Sequence, residues 1–230
     1  PGSLGMAVSE AVEVAMADPN ARYALGSVLN HVVLHQTVIG LEAQQQLEDL
    51  GEDTADLVVG CAGGGSNLAG LSFPFLKDVL SGDAETRVIA AGPVACPSLT
   101  GGEYRYDHGD FSGMTPLLKM YTLGTDFVPD PIHAGGLRYH GMSPALSHTV
   151  RLGLVEPTTV EQQDAFDAGV LLARTEGIVQ APESNPALAA AFDQVRDSDE
   201  EQVVVIGVSG HGHLDLPSYQ KVLGGSDQDS

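Results

Sequence analysis

Basic residues are scarce in this 230-residue chain. It has 10 lysines and arginines against 31 aspartates and glutamates, which gives a formal net charge of −21 at pH 7. Such a surface repels the phosphates of nucleic acids and of anionic membranes, so we expect neither as a partner. The acidic residues are spread along the chain. The negative charge therefore has two open explanations. The protein is adapted to high salt, which screens the self-repulsion, or it is an acidic enzyme of a mesophile.

Cysteines and long apolar runs are also few. The two cysteines, Cys61 and Cys96, are too few for a disulfide framework, which favours a reducing, cytoplasmic compartment. No apolar run approaches the roughly 20 residues that span a bilayer. The first five residues lack the charged and apolar segments of a signal peptide. With 43% hydrophobic residues the chain can still bury a core, so the sequence predicts one large domain or two small ones.

Hydrophobic periodicity alternates between helix and strand along much of the chain. Helices are predicted over about 8–15, 30–50, 67–80, 161–174 and 185–195, and strands over 57–61, 86–91 and 203–208. This alternation predicts an α/β fold, a parallel sheet with crossover helices. The last strand is wholly apolar, so we expect it to be buried on both faces. In such a sheet, ligands bind at the carboxyl ends of the strands.

Regular periodicity is lost between residues 92 and 147, where Gly, Pro, Tyr and His are frequent. A stretch of that length without a pattern is usually either functional or disordered. Its aromatic content argues against disorder. We therefore predict an ordered irregular excursion that covers a site or forms a subunit contact.

A glycine-rich loop follows the strand 57–61 and precedes a helix. The loop consists of Gly63, Gly64, Gly65, Ser66 and Asn67. Glycines let the backbone approach a ligand closely, and the N–H groups at a helix start favour an anion. Ser66 can cap the helix, Asn67 adds an amide donor, and no Lys or Arg lies nearby, so we predict a phosphate held by dipoles. The spacing matches neither the dinucleotide fingerprint nor a P-loop, and an ordinary βα turn is the alternative.

A second polar, glycine-rich stretch begins at Ser209, after the strand 203–208. In one parallel sheet, Ser209 and Ser66 would face the same crevice. His211 and His213 have no cysteine or acidic cluster to complete a zinc site, so no metal is predicted. Ser66 also lacks the G-x-S-x-G elbow of a hydrolase nucleophile. Glu176 stands before a glycine at a helix end, where the helix dipole disfavours a carboxylate, although a solvated residue is the alternative.

Taken together, these residues resemble the tryptophan synthase β chain, in its second, divergent branch. The matching stretches follow one another in order, over residues 1–5, 26–31, 34–43, 63–67, 96–100, 102–106, 120–140, 175–178 and 209–212. The resemblance implies the type II fold of pyridoxal-phosphate enzymes. It implies a lyase reaction of tryptophan biosynthesis, in which indole replaces the hydroxyl group of L-serine to give L-tryptophan and water. Another type II pyridoxal enzyme, such as a threonine synthase or a serine dehydratase, and a non-catalytic phosphate-binding fragment are the alternatives.

The resemblance also implies roles for the residues singled out above. The glycine loop, residues 63–67, would hold the phosphate of pyridoxal 5'-phosphate. Ser209 would meet the pyridine nitrogen, and Glu176 would lie beside the cofactor ring as a catalytic residue. A hydroxyl group need not keep the ring nitrogen protonated, which suits elimination and replacement at the β carbon. The family suggests a homodimer and leaves an associated α chain open.

The resemblance covers only the C-terminal half or so of the family. We therefore expect residues 1–230 to be the C-terminal part of the catalytic chain, without the N-terminal part that bears the Schiff-base lysine. None of the three lysines, Lys77, Lys119 and Lys221, lies in a matching context. That lysine is the chemical centre of the reaction, so the chain alone is predicted to be inactive. Our hypothesis is that a longer protein or a complementing N-terminal half completes it.

Overall fold

The protein is described here by a computed structural model that covers residues 2–26 and 28–224. Pro1 and Ser27, which belong to two of the matching stretches, lie outside the described residues. The strands are β1 Leu57–Cys61, β2 Arg87–Pro93, β3 Glu103–His108, β4 Leu117–Thr122, β5 Glu156–Val160 and β6 Val204–Ile206. The α-helices are α1 Leu4–Ala17, α2 Asn30–Leu50, α3 Ser66–Ser81, α4 Ser98–Gly101, α5 Pro144–Arg151, α6 Gln162–Glu176, α7 Asn185–Val195 and α8 Leu216–Gly224. Even α2, the longest described helix with 21 residues, carries no apolar stretch that would cross a bilayer, and the same is true of the others in these ranges.

The predicted parallel sheet with crossover helices is confirmed. Four strands pair in the order β5-β2-β1-β6, and every pairing is parallel. Side chains of β1 alternate between two cores, as a strand requires. Val58 packs with Leu68 and Phe75 on the α3 side, whereas Val59 packs with Leu188 of α7 on the other. Helices therefore cover both faces of β1, as is usual for parallel sheets.

The two edge strands differ from the prediction. The last strand was expected over residues 203–208 and buried on both faces, but β6 is only Val204–Ile206 and is half-buried. It pairs with β1 alone among the described residues, so it forms an edge of the sheet. An apolar run does not show whether a strand has neighbouring strands on both sides. For that reason the prediction that the last strand is buried on both faces was wrong. The other edge, β5, was missed because Pro157 interrupts the pattern, although an edge strand tolerates proline.

The stretch from 92 to 147 contains a hairpin that periodicity analysis missed. Strands β3 and β4 pair antiparallel and form a separate two-stranded sheet. A buried carboxylate, Asp110, ties the loop of this hairpin to α1. It accepts hydrogen bonds from Ser9 Oγ at 2.8 Å and from Thr115 Oγ1 at 2.7 Å. The N–H groups of Met114 and Thr115 donate to the same carboxylate at 3.0 and 2.9 Å.

Asp110 makes the stability of the protein depend on pH. Burial works to raise the pKa of Asp110, but hydrogen bonds from Thr115, Met114 and Ser9 outweigh it and lower the pKa from 3.8 to about 2. Because the folded-state pKa is depressed, this stabilisation is present above pH 4 and is lost as the pH falls towards 2. We expect Asp110 to contribute about 2 kcal/mol to the free energy of unfolding at neutral pH.

The measurement is urea unfolding at several pH values between 7 and 2. Asp110→Asn should lower the free energy of unfolding at pH 7 and flatten its fall between pH 4 and 2. Asp199→Asn is the matched control, since Asp199 is exposed. Identical pH profiles for the two variants would contradict the assignment.

Candidate functional site

The glycine loop joins β1 to α3 at the carboxyl end of β1. The N-cap of α3 is Gly65, whose φ of 99° lies in the left-handed region that favours glycine. A Cβ atom on Gly63 would stand 2.7 Å from the carbonyl oxygen of Gly136. The loop therefore packs against the segment around Gly136 with no room for a side chain at residue 63.

The N–H groups of the loop are available to a ligand. The N–H of Ala62 still bonds Ala91 in β2, and the next N–H with a partner is that of Ala69, which bonds the carbonyl oxygen of Gly65. Within the described residues, the amides of 63–67 have no acceptor. The helix also has no side-chain cap, so Ser66, which was expected to cap it, is instead its first residue and is buried. Free amides at a helix N-terminus form a site for an anion.

The loop and Ser209 lie at the same end of the sheet. Their strands, β1 and β6, are direct neighbours, and the Gly207 N–H bonds Val59. Asn67 Nδ2 donates to Cys61 Sγ at 3.4 Å. Burial raises the pKa of the Cys61 thiol to about 11, against the lowering effects of Asn67 and Ser209, which both interact with it. Asn67, which follows β1, and Ser209, which follows β6, therefore both contact the same neutral thiol.

A carboxylate that the sequence analysis missed faces this end of the sheet. Glu183 Oε1 accepts a hydrogen bond from the N–H of Gly136 at 3.0 Å. Its charge also acts to raise the pKa of the Cys61 thiol. Glu183 stands in the 3₁₀ turn Pro182–Ser184 that leads into α7. An acidic residue before a helix start was the available signal, because the helix dipole favours a carboxylate there.

Glu176 lies in a different setting. It is the last residue of α6, it is exposed, and Gly177 caps the helix in a left-handed conformation. Its side chain has neither a hydrogen bond nor an ion pair with any part of the chain that the structure describes. The predicted place of Glu176 beside a cofactor ring stays a prediction, whereas Glu183 is the carboxylate in contact with the segment that packs on the loop.

The three lysines are engaged or exposed elsewhere. Lys77 pairs with Asp78 at 3.3 Å. It stands eleven residues along α3 from Ser66, a rise of roughly 16 Å. Lys119 Nζ lies 4.9 and 5.0 Å from the ring centroids of two tyrosines, Tyr104 and Tyr106, on the hairpin. Lys221 is exposed on α8.

Comparison with known proteins agrees with this geometry. The family model described as "Pyridoxal-phosphate dependent enzyme" matches residues 1–210. The chain therefore belongs to the family of pyridoxal-phosphate-dependent enzymes. A solved structure, that of a fungal L-serine ammonia-lyase from Rhizomucor miehei, matches the fold with a TM-score of 0.63 at 19% identity, covering 89% of this chain and 60% of that one.

The resemblance to the tryptophan synthase β chain is also confirmed. The chain is 58% identical over 228 residues to tryptophan synthase beta chain 2 of Methanosarcina acetivorans, which covers 98% of this chain and 51% of the relative. It is 55% identical over 231 residues to the Aquifex aeolicus protein of the same name, covering 98% of this chain and 53% of that one. The chain thus spans about half the length of the curated relatives it matches.

The loop fits the phosphate of the family cofactor, pyridoxal 5'-phosphate. Its amides have no internal acceptor among the described residues, and glycine leaves the backbone accessible to the ligand. Uncharged donors suffice, since a helix N-terminus carries a partial positive charge.

Adding one methyl group to the loop provides a test. In Gly63→Ala the new Cβ atom would fall 2.7 Å from the Gly136 carbonyl oxygen, so backbone must shift. We expect the affinity for pyridoxal 5'-phosphate, measured by equilibrium dialysis, to drop at least about fivefold, in line with the cost of overpacking. The control is Gly92→Ala, near the carboxyl end of β2, where the added Cβ atom makes only ordinary contacts at 3.7 and 3.9 Å. Equal losses in both variants would count against a phosphate site at this loop.

Proposed function

We propose that this chain forms the cofactor-holding part of an enzyme of tryptophan synthase β type. The reaction is the β-replacement of L-serine with indole, which gives L-tryptophan and water. The observation that carries the proposal is the identity of 52–58% to proteins named tryptophan synthase beta chain over nearly the whole of this chain. The open amides at the end of β1 support it independently, because the cofactor needs a phosphate site.

In this proposal each part of the site binds one part of the cofactor. The amides of residues 63–67 and the side chain of Asn67 hold the phosphate. The hydroxyl group of Ser209 meets the ring nitrogen, and Glu183 presents its carboxylate to the same end of the sheet. When bound, the cofactor supplies the electron withdrawal that allows a group to leave the β carbon. A hydroxyl, which carries no charge, orients the ring without forcing its nitrogen to stay protonated.

Catalysis needs more than this chain. The resemblance implies that the Schiff-base lysine lies in the N-terminal half of the family's chains. Within this chain, Lys77 pairs with Asp78, Lys119 lies over tyrosine rings and Lys221 is exposed, so none of them is placed for that role. We therefore propose that the missing half is supplied by a longer polypeptide or by a second chain. A homodimer, as the resemblance implies, and a cytoplasmic location belong to the same proposal.

Fusion to the missing half tests the reaction. We expect a chimera that carries the N-terminal half of the Methanosarcina acetivorans relative before this chain to consume indole only when L-serine is present. Each half alone should be inactive, because the lysine and the phosphate site are then separated. A folded chimera that releases ammonia from serine or threonine and leaves indole untouched would point to another type II pyridoxal enzyme.

The same chimera separates the two candidate carboxylates. Glu183→Gln should lower the rate of tryptophan formation by about tenfold or more, since a positioned carboxylate acts on proton transfer near the ring. Glu176→Gln removes an exposed charge at a helix end and should cost far less. Both rates are followed as indole consumption at saturating serine. A larger loss of rate in Glu176→Gln than in Glu183→Gln would support the place beside the cofactor ring that the resemblance implies for Glu176.

A further inference from the structure

One fully buried side chain, that of Ser184, contacts both the backbone and the hydroxyl group of Ser209. Ser184 is fully buried, at the end of the turn Pro182–Ser184. Its Oγ accepts a hydrogen bond from the N–H of Ser209 at 2.9 Å. The same Oγ lies 3.0 Å from the carbonyl oxygen of Ser209 and 2.9 Å from its Oγ. Both the backbone and the hydroxyl group of residue 209 are therefore in contact with Ser184.

The sheet itself does not fix Ser209. Strand β6 ends at Ile206, and the hydrogen bond from the N–H of Gly207 to Val59 is the last one of its ladder. Ser209 stands two residues further on. The following residue, Gly210, has a positive φ of 79°, so the backbone turns away at once. The position of the Ser209 hydroxyl group is consequently set by side-chain contacts, with Ser184 and with the Cys61 thiol, rather than by strand pairing.

The contacts allow two arrangements of hydroxyl protons. Ser184 has one proton and two acceptors in range, the carbonyl oxygen and the Oγ of Ser209. If it donates to the carbonyl, the Ser209 proton turns towards Ser184 and the lone pairs of Ser209 point outward. If it donates to Ser209 Oγ, the Ser209 proton can point outward, since the only other acceptor in contact with it among the described residues is the weakly accepting sulfur of Cys61. Rotating two hydroxyl groups exchanges the two arrangements without moving a heavy atom.

We infer that Ser184 is a positioning residue that aims the Ser209 hydroxyl at the ring nitrogen of the cofactor and lets it act as either donor or acceptor. An unprotonated ring nitrogen requires a donor, and a protonated one requires an acceptor. Ser184 itself is fully buried and acts only through Ser209. This inference rests on the proposed function, because only there does Ser209 meet a pyridine ring.

Two ligands that differ only at the ring nitrogen test the inference. The first is 4'-deoxypyridoxine 5'-phosphate, which has no aldehyde and so forms no imine with lysine. The second is its carbocyclic analogue, in which C–H replaces the ring nitrogen. Dissociation constants are measured by calorimetry on the 230-residue chain and on three variants, Ser184→Ala, Ser209→Ala and Ser147→Ala. Ser147 is the matched control, since it is also fully buried and its Oγ accepts the N–H of Tyr121 at 3.0 Å.

A role at the ring nitrogen predicts a loss that depends on the ligand. Ser184→Ala and Ser209→Ala should each weaken the pyridine ligand by about two- to tenfold, the range of a net hydrogen bond. Neither should change the affinity for the carbocyclic ligand. Ser147→Ala should leave both affinities unchanged. If Ser184→Ala does not fold, Ser184→Cys retains a weaker donor and should give an intermediate loss, again for the pyridine ligand alone.

The outcomes separate this inference from the proposed function. If the unsubstituted chain binds neither ligand at millimolar concentration, the proposed function fails and this inference fails with it. If Ser209→Ala discriminates between the ligands but the Ser184 variants bind both as the unsubstituted chain does, the role of Ser184 alone is overturned. Equal losses for both ligands in the Ser184 variants would mean that Ser184 only supports the fold, which also overturns the inference.

Discussion

The parallel pairing of β1 with β6 is the interaction on which the site depends. It places the end of β1, with its open amides, beside the segment that carries Ser209. The two segments are far apart in the chain, and their shared contacts with the Cys61 thiol follow from this register. Leu68 of α3 packs so closely on Gly60 that a Cβ atom there would stand 2.8 Å from Leu68 Cδ1, so packing also fixes the register, since a slip of one residue would bring a larger side chain to that place.

Much of this arrangement could be predicted from the residues. The strand Leu57–Cys61 and the helix after it follow from a β-branched run, three glycines and an apolar stripe, all of them local signals. Long-range facts were harder to predict. The apolar run of β6 looked like a central strand, because sequence periodicity reports which residues are apolar and not how many neighbours a strand has. Strand β5 contains Pro157, and strand β3 of the hairpin alternates charged with aromatic residues. Neither sequence is a plain apolar run, so neither was predicted as a strand.

The site shows the same division. The glycine loop was located from the sequence because its conformation is specified locally, by residues such as Gly65 that occupy a positive φ. Glu183 and Ser184 were missed because their contacts, with Gly136 and Ser209, are tertiary, and the one local signal, an acidic residue before a helix start, does not identify those partners. Glu176 was singled out by its place next to a glycine, yet the structure shows an exposed helix end there.

Strand β6 has a consequence for assembly. It is short, apolar and half-buried, and along one side its backbone groups have no strand partner among the described residues. Such an edge accepts another strand. Because Ser209 lies three residues beyond Ile206, a polypeptide that pairs there would also order the segment that leads to Ser209, to which the proposed function assigns the ring-nitrogen contact. Association with a second segment and affinity for the cofactor would then be thermodynamically linked, each strengthening the other by the same factor.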